Sequence, residues 1–99
     1  MQVTLDPYII DSLMADLVGH DRQPSAFLVY LTLTRRAVSL HRPQIAMALL
    51  DIAEATGLSK RTVQSAIAHL VYRRLVTVDR ASPTAVPVYS LMRPWRRGA

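Results

Sequence analysis

Apolar residues recur at helical spacing in several segments of the chain and alternate with polar residues in two others. Asp6-Pro7 has the form of a helix start, because Asp caps the first turn and Pro suits the first helical position. Residues 7–18 then carry a one-sided apolar stripe of Ile9, Ile10, Leu13, Met14 and Leu17, and Gly19 is expected to end this helix. Residues 24–38 are apolar around most of their circumference, which predicts a second helix at the centre of the core.

The second half of the chain predicts two more helices and a small amount of strand. Residues 49–55 and 59–74 are separated by a turn at Gly57, where a left-handed backbone is needed, and Ser59 is the expected cap of the longer helix. The short apolar segment 44–48 is interpreted as a strand, and residues 75–80 and 86–92 alternate as strands do. Pro87 predicts that the last strand lies at an edge or contains a bulge. The fold class is therefore mainly α with a small β-sheet.

Length and composition restrict the classes of function. Ninety-nine residues, 51% of them apolar, fit one domain over 1–99. No run is long enough to span a bilayer and the N-terminus lacks a secretory pattern, so a cytoplasmic protein is expected. The chain has no cysteine and three separated glycines, so thiolate chemistry and glycine-rich phosphate loops are excluded. Asp16 and His20 have metal-ligand spacing, but a helix end at Gly19 would separate them. No enzyme activity, cofactor or metal is expected.

Charge divides the chain into two parts. Residues 1–34 contain four aspartates and one arginine, whereas residues 35–99 contain eleven basic and three acidic residues. An acidic segment before a strongly basic remainder indicates two surfaces with different roles. A basic surface alone is usually only solvated; beside a helix-turn-helix pattern it becomes a candidate phosphate-binding surface.

Residues 51–80, DIAEATGLSKRTVQSAIAHLVYRRLVTVDR, followed by a second predicted strand, resemble the winged helix-turn-helix of bacterial transcription regulators, as in MarR-like and GntR-like DNA-binding domains. The small Ala53 and the turn at Gly57 carry this resemblance, together with the apolar positions Leu58, Val63, Ile67 and Leu70 and the passage Arg73-Arg74-Leu75-Val76. The resemblance covers about half of the chain and extends to 24–91 if residues 24–38 are the first helix. It implies a winged-helix core at 24–92. The helix at 7–18 lies outside this motif and is expected to be an accessory or dimerisation helix, and residues 93–99 form a basic tail.

Helical spacing points Arg61, Ser65 and Ala68 outward if Val63, Ala66, Ile67 and Leu70 face the core. The resemblance implies that the helix at 59–74 enters the DNA major groove. Base-edge contacts would come from Arg61, Thr62, Gln64 and Ser65, since Arg favours guanine and Gln favours adenine. Ser59 and Lys60 would meet phosphate at the helix N-terminus. The full set of expected DNA-binding residues is Ser59, Lys60, Arg61, Thr62, Gln64, Ser65, His69, Arg73 and Arg80. The wing tip, Ser82-Pro83-Thr84, has no basic residue, so minor-groove reading by the wing is not expected. The tail has two alternatives: Arg93, Arg96 and Arg97 would add phosphate contacts while Trp95 packs back on the domain, or the tail would be a disordered basic segment.

The predicted function is sequence-specific binding of double-stranded DNA by a transcriptional regulator. The apolar stripe of residues 7–18 would either complete the monomer core or form a two-fold dimer seam, and a homodimer through this helix is the preferred expectation. Because DNA repels acidic groups, this segment is expected on the side away from DNA. Two alternatives remain: a winged-helix protein-interaction module within a larger assembly, and a DNA-binding replication or partition factor.

Overall fold

Helices account for most of the computed structural model, which describes residues 2–95. An N-terminal helix consists of two π-helical stretches, Ile9–Leu13 and Ala15–His20. It is followed by α1 (Pro24–Leu40), β1 (Gln44–Ala46), α2 (Leu49–Thr56), α3 (Lys60–Tyr72), β2 (Val76–Asp79) and β3 (Val88–Leu91). A mainly helical fold with a small antiparallel sheet is thus confirmed. None of the helices within residues 2–95 combines the length and the apolar character that crossing a bilayer requires.

The N-terminal helix begins where the sequence predicts and ends later. The Tyr8 backbone N–H donates to Asp6 Oδ1 at 3.0 Å, so Asp6 caps the first turn as expected. The predicted end near residue 18 is wrong, because the helix continues through Gly19 to His20. A glycine inside a helix costs about 1 kcal/mol relative to alanine but does not forbid the helix, and the packing of the preceding Leu17 keeps this turn in place.

Two apolar rows run along the N-terminal helix and have different environments. Ile9, Leu13 and Leu17 are buried and belong to the single hydrophobic core. Ile10, Met14 and Val18 are 39–43% exposed. Three of the five predicted stripe residues therefore complete the core of one chain, whereas Ile10 and Met14 face solvent beside Val18.

Helix α1 lies at the centre of the core, as predicted from its apolar circumference. It packs against the N-terminal helix, α2 and α3. Its buried residues are Ala26, Phe27, Val29, Tyr30, Leu33, Thr34 and Ala37. The one buried polar side chain in the described core, Thr34, donates its hydroxyl to the carbonyl of Tyr30 at 2.8 Å and is thereby satisfied.

The sheet has the order β1-β3-β2, and both pairs are antiparallel. Tyr89 lies opposite Ile45 on one side and Val78 on the other. The expectation that Pro87 marks an edge strand is wrong, because β3 is the central strand. Pro87 immediately precedes β3, and its carbonyl accepts the Met47 N–H at 3.2 Å. Because Pro87 lies outside the strand, its lack of an N–H does not remove a hydrogen bond between the paired strands.

The chain that follows β3 packs back onto the start of the N-terminal helix. The Trp95 ring stacks on Tyr8 with centroids 4.6 Å apart, and its indole N–H donates to Asp6 Oδ2 at 3.0 Å. Arg96 and Arg97, two of the expected phosphate contacts of the tail, lie outside the described residues.

Candidate nucleic-acid interface

The turn between α2 and α3 is fixed by side-chain hydrogen bonds. Gly57 adopts a left-handed backbone with φ of +77° and ends α2, as predicted. Ser59 caps α3, since its Oγ accepts the Thr62 N–H at 3.1 Å. The Thr56 hydroxyl donates to the carbonyl of Ile52 at 2.8 Å and closes the last turn of α2. These contacts give α3 a defined direction relative to α2.

Helix α3 has the two faces that its spacing predicts. Val63, Ala66, Ile67 and Leu70 are buried, whereas the opposite face exposes Lys60, Arg61, Gln64, Ser65 and Ala68. Thr62 is half-buried, and its hydroxyl accepts a hydrogen bond from Ser59 Oγ at 2.8 Å. Of the four base-edge candidates, Arg61, Gln64 and Ser65 therefore have exposed side chains, while Thr62 is occupied by the helix cap.

Two of the expected phosphate contacts line one groove. Lys60 at the start of α3 and Arg80 at the end of β2 both border a shallow depression of about 250 Å³ beneath the loop that joins β2 and β3. The loop itself supplies Pro83, Thr84, Ala85 and Val86. Since both basic side chains are exposed, the N-terminal end of α3 and the base of the hairpin form one cationic surface.

The C-terminal half of α3 is in contact with an acidic residue. Asp21, which follows the N-terminal helix, has a side chain only 8% exposed. Its Oδ2 accepts a hydrogen bond from His69 Nε2 at 2.8 Å and forms an ion pair with Arg73, whose Nε lies 3.0 Å away. Its Oδ1 accepts a hydrogen bond from His20 Nδ1 at 2.9 Å. The hydrogen bonds from His20 and His69, aided by the positive charge of Arg73, hold the pKa of Asp21 below its ordinary value although burial acts in the opposite direction.

The contacts of Asp21 alter the roles that the sequence predicts for His69 and Arg73. His69 and Arg73, both expected to bind DNA, are held by Asp21 within the same chain. Asp21 lies just beyond the N-terminal helix, and it brings a negative charge into direct contact with the C-terminal end of α3. Sequence reasoning missed this contact, since Asp21 precedes His69 by 48 positions and no local pattern connects them.

Within residues 2–95, no group of three or more His, Cys, Asp and Glu side chains is placed to hold a metal ion.

Comparison of the chain with models of known protein families, with curated proteins and with solved structures gave no match.

Proposed function

We propose that this protein binds double-stranded DNA sequence-specifically, with a winged-helix architecture, and acts as a transcriptional regulator. The observation that carries the proposal is the exposed row of Lys60, Arg61, Gln64 and Ser65 on a helix whose start is capped and whose opposite face is buried. The order of elements supports it as well: helix, strand, helix, tight turn, helix and hairpin, with the last strand between the other two.

Helix α3 has dimensions that suit the major groove. Its 13 residues give a length of about 20 Å, and the groove is about 12 Å wide, enough to admit one helix. In this arrangement Arg61 would contact guanine and Gln64 adenine, each through two hydrogen bonds. Lys60 and Arg80 would hold the flanking phosphates, since both line the groove beneath the hairpin loop.

The proposal includes a homodimer formed through the N-terminal helix. The exposed row of Ile10, Met14 and Val18 supports it, because three apolar side chains on one helix face favour burial against a partner. A two-fold dimer would present two copies of α3 to paired half-sites. Duplexes selected by such a dimer would have a palindromic consensus, whereas a monomer would select one half-site.

The test begins with selection of bound duplexes from a random pool, followed by titration of the best duplex. Arg61→Ala and Gln64→Ala should each weaken binding by about 1–3 kcal/mol, which is roughly 5- to 150-fold. Arg36→Ala, which removes an exposed arginine from α1, is the matched control for charge and should change the affinity less than twofold. Equal affinity of the wild type and Arg61→Ala for the selected duplex would refute the assignment of α3 as the base-reading helix.

A protein-interaction module is the second candidate, and one surface favours it. Tyr72 at the end of α3 is 79% exposed, and the adjacent Val71 is 44% exposed. Exposed aromatic and aliphatic side chains side by side are typical of protein contacts. Titration with random duplex at several salt concentrations separates the two candidates, because DNA binding weakens steeply as salt rises. Absence of binding at low salt would favour the interaction module.

A further inference from the structure

Arg73 is flanked by acidic side chains of the N-terminal segment. Its Nε lies 3.0 Å from Asp21 Oδ2, with which it forms an ion pair. Asp16, on the N-terminal helix, lines the same groove of about 290 Å³ as Arg73, together with Leu75 and Trp95. The cationic end of α3 therefore faces the most acidic part of the chain.

The Asp21 carboxylate is held firmly in this position. It is 8% exposed, accepts hydrogen bonds from His20 and His69, and forms an ion pair with Arg73. Charge-assisted hydrogen bonds of this kind are about twice as strong as neutral ones. A DNA phosphate that approached Arg73 would meet a guanidinium whose charge is already compensated and a fixed anion beside it.

We infer that Asp21 is an intramolecular competitor of DNA phosphate, which withdraws His69 and Arg73 from the DNA-binding surface. This inference rests on the proposed function. Phosphate and base contacts are then confined to the N-terminal half of α3, from Lys60 to Ser65, and to Arg80. The acidic segment thus limits the affinity of the protein for DNA of any sequence, since phosphate contacts carry no sequence information.

The test compares Asp21→Asn with Asp11→Asn on a random-sequence duplex. Both variants remove one negative charge from the N-terminal segment, but Asp11 is exposed and has no hydrogen bond or ion pair within the described residues. Asp21→Asn should bind at least about threefold more tightly at 50 mM salt, and its log–log salt slope should be steeper by about 0.9, the value for one additional phosphate contact. The gain should therefore decrease roughly 3.5-fold between 50 and 200 mM salt. Asp11→Asn should change the affinity less than twofold.

A second comparison shows whether the gain in DNA affinity depends on Arg73. Arg73→Ala alone should have little effect on DNA binding, because Asp21 already occupies this side chain. In the Asp21→Asn background the same substitution should remove the gain, and the two changes should be non-additive. Thermal melts of all variants establish that they are folded, and loss of the fold would not produce a gain that depends on Arg73.

The outcomes separate this inference from the function on which it rests. If the wild type binds no duplex at low salt, both proposals are overturned. If the wild type binds DNA and Asp21→Asn binds equally or more weakly, only the inference is overturned. A gain that persists when Arg73 is replaced would also overturn it, because the competition would then not act through this arginine.

Discussion

Leu17→Ala tests whether the N-terminal helix is an integral part of the domain. Leu17 is fully buried and belongs to the same core as the buried residues of α1 and α3. Truncation of a fully buried leucine removes its transfer free energy and leaves a cavity, and such changes cost about 2–5 kcal/mol. For a domain with a total free energy of unfolding of roughly 5–15 kcal/mol, a loss of about 3 kcal/mol is large.

The size of this loss is measurable by thermal melting and by urea denaturation. At about 4–8 °C per kcal/mol for a domain of this size, Leu17→Ala should lower Tm by roughly 12–24 °C. Met14→Ala is the matched control on the same helix, because Met14 is 39% exposed, and it should cost less than about 1 kcal/mol within the monomer. If Leu17→Ala lowered the free energy of unfolding by less than about 1 kcal/mol, the N-terminal helix would not be packed as described.

Met14→Ala also tests whether the N-terminal helix forms the proposed homodimer. If the exposed row of Ile10, Met14 and Val18 forms a dimer seam, Met14→Ala should leave the unfolding of the dilute monomer unchanged and raise the dimer dissociation constant in sedimentation experiments. A Leu17 effect that disappears at low protein concentration would instead mean that this helix packs only in the dimer.

Two further predictions concern the turn and the acidic cluster. Gly57→Ala should lower the free energy of unfolding, measured in urea, by about 1–2 kcal/mol, because φ at this position is +77°. Gly19→Ala is the control: its added Cβ would meet nothing within 4 Å, so it should be neutral or stabilising by up to about 1 kcal/mol. Equal effects at the two glycines would contradict the turn geometry. Because the hydrogen bonds from His20 and His69 lower the pKa of Asp21, its contribution to stability is complete above its ordinary pKa of 3.8 and is lost as the pH falls through the lower value of the folded state. The difference in free energy of unfolding between the wild type and Asp21→Asn should therefore shrink as the pH falls below about 4, and a difference that stays constant from pH 6 to pH 3 would refute the described role of Asp21.

The helices and strands were largely predictable because their signals are local. The Asp6 cap, the left-handed Gly57 and the Ser59 cap each act over a few residues, and the periodicity of α3 separates its buried from its exposed positions. The end of the N-terminal helix was not predictable, since the packing of Leu17 outweighs the local effect of Gly19. The position of β3 was also missed, because Pro87 indicates only that its own position lacks an N–H, and that position lies just before the strand.

The exposed side chains in the N-terminal half of α3 were predictable from the sequence, whereas the contacts at its C-terminal end were not. Helical spacing alone identifies Arg61, Ser65 and Ala68 as outward-facing, and all three are exposed. The capture of His69 and Arg73 by Asp21 is a tertiary contact between distant segments, and nothing in either segment alone indicates it. Likewise, the use of the Thr62 hydroxyl by Ser59 depends on side-chain rotamers that the residue pattern does not specify.

The place of β3 in the sheet has a consequence for the order in which the chain folds. β1 and β2 do not pair with each other, and each pairs only with β3, which comes after both in the chain. Until residues 88–91 are in place, neither edge of β1 or β2 is paired, whereas the three helices between residues 24 and 72 can form from more local contacts. We therefore expect the helical core to form first and the sheet to close last. During that interval the open edges of β1 and β2 are the parts of the molecule most exposed to association with other chains.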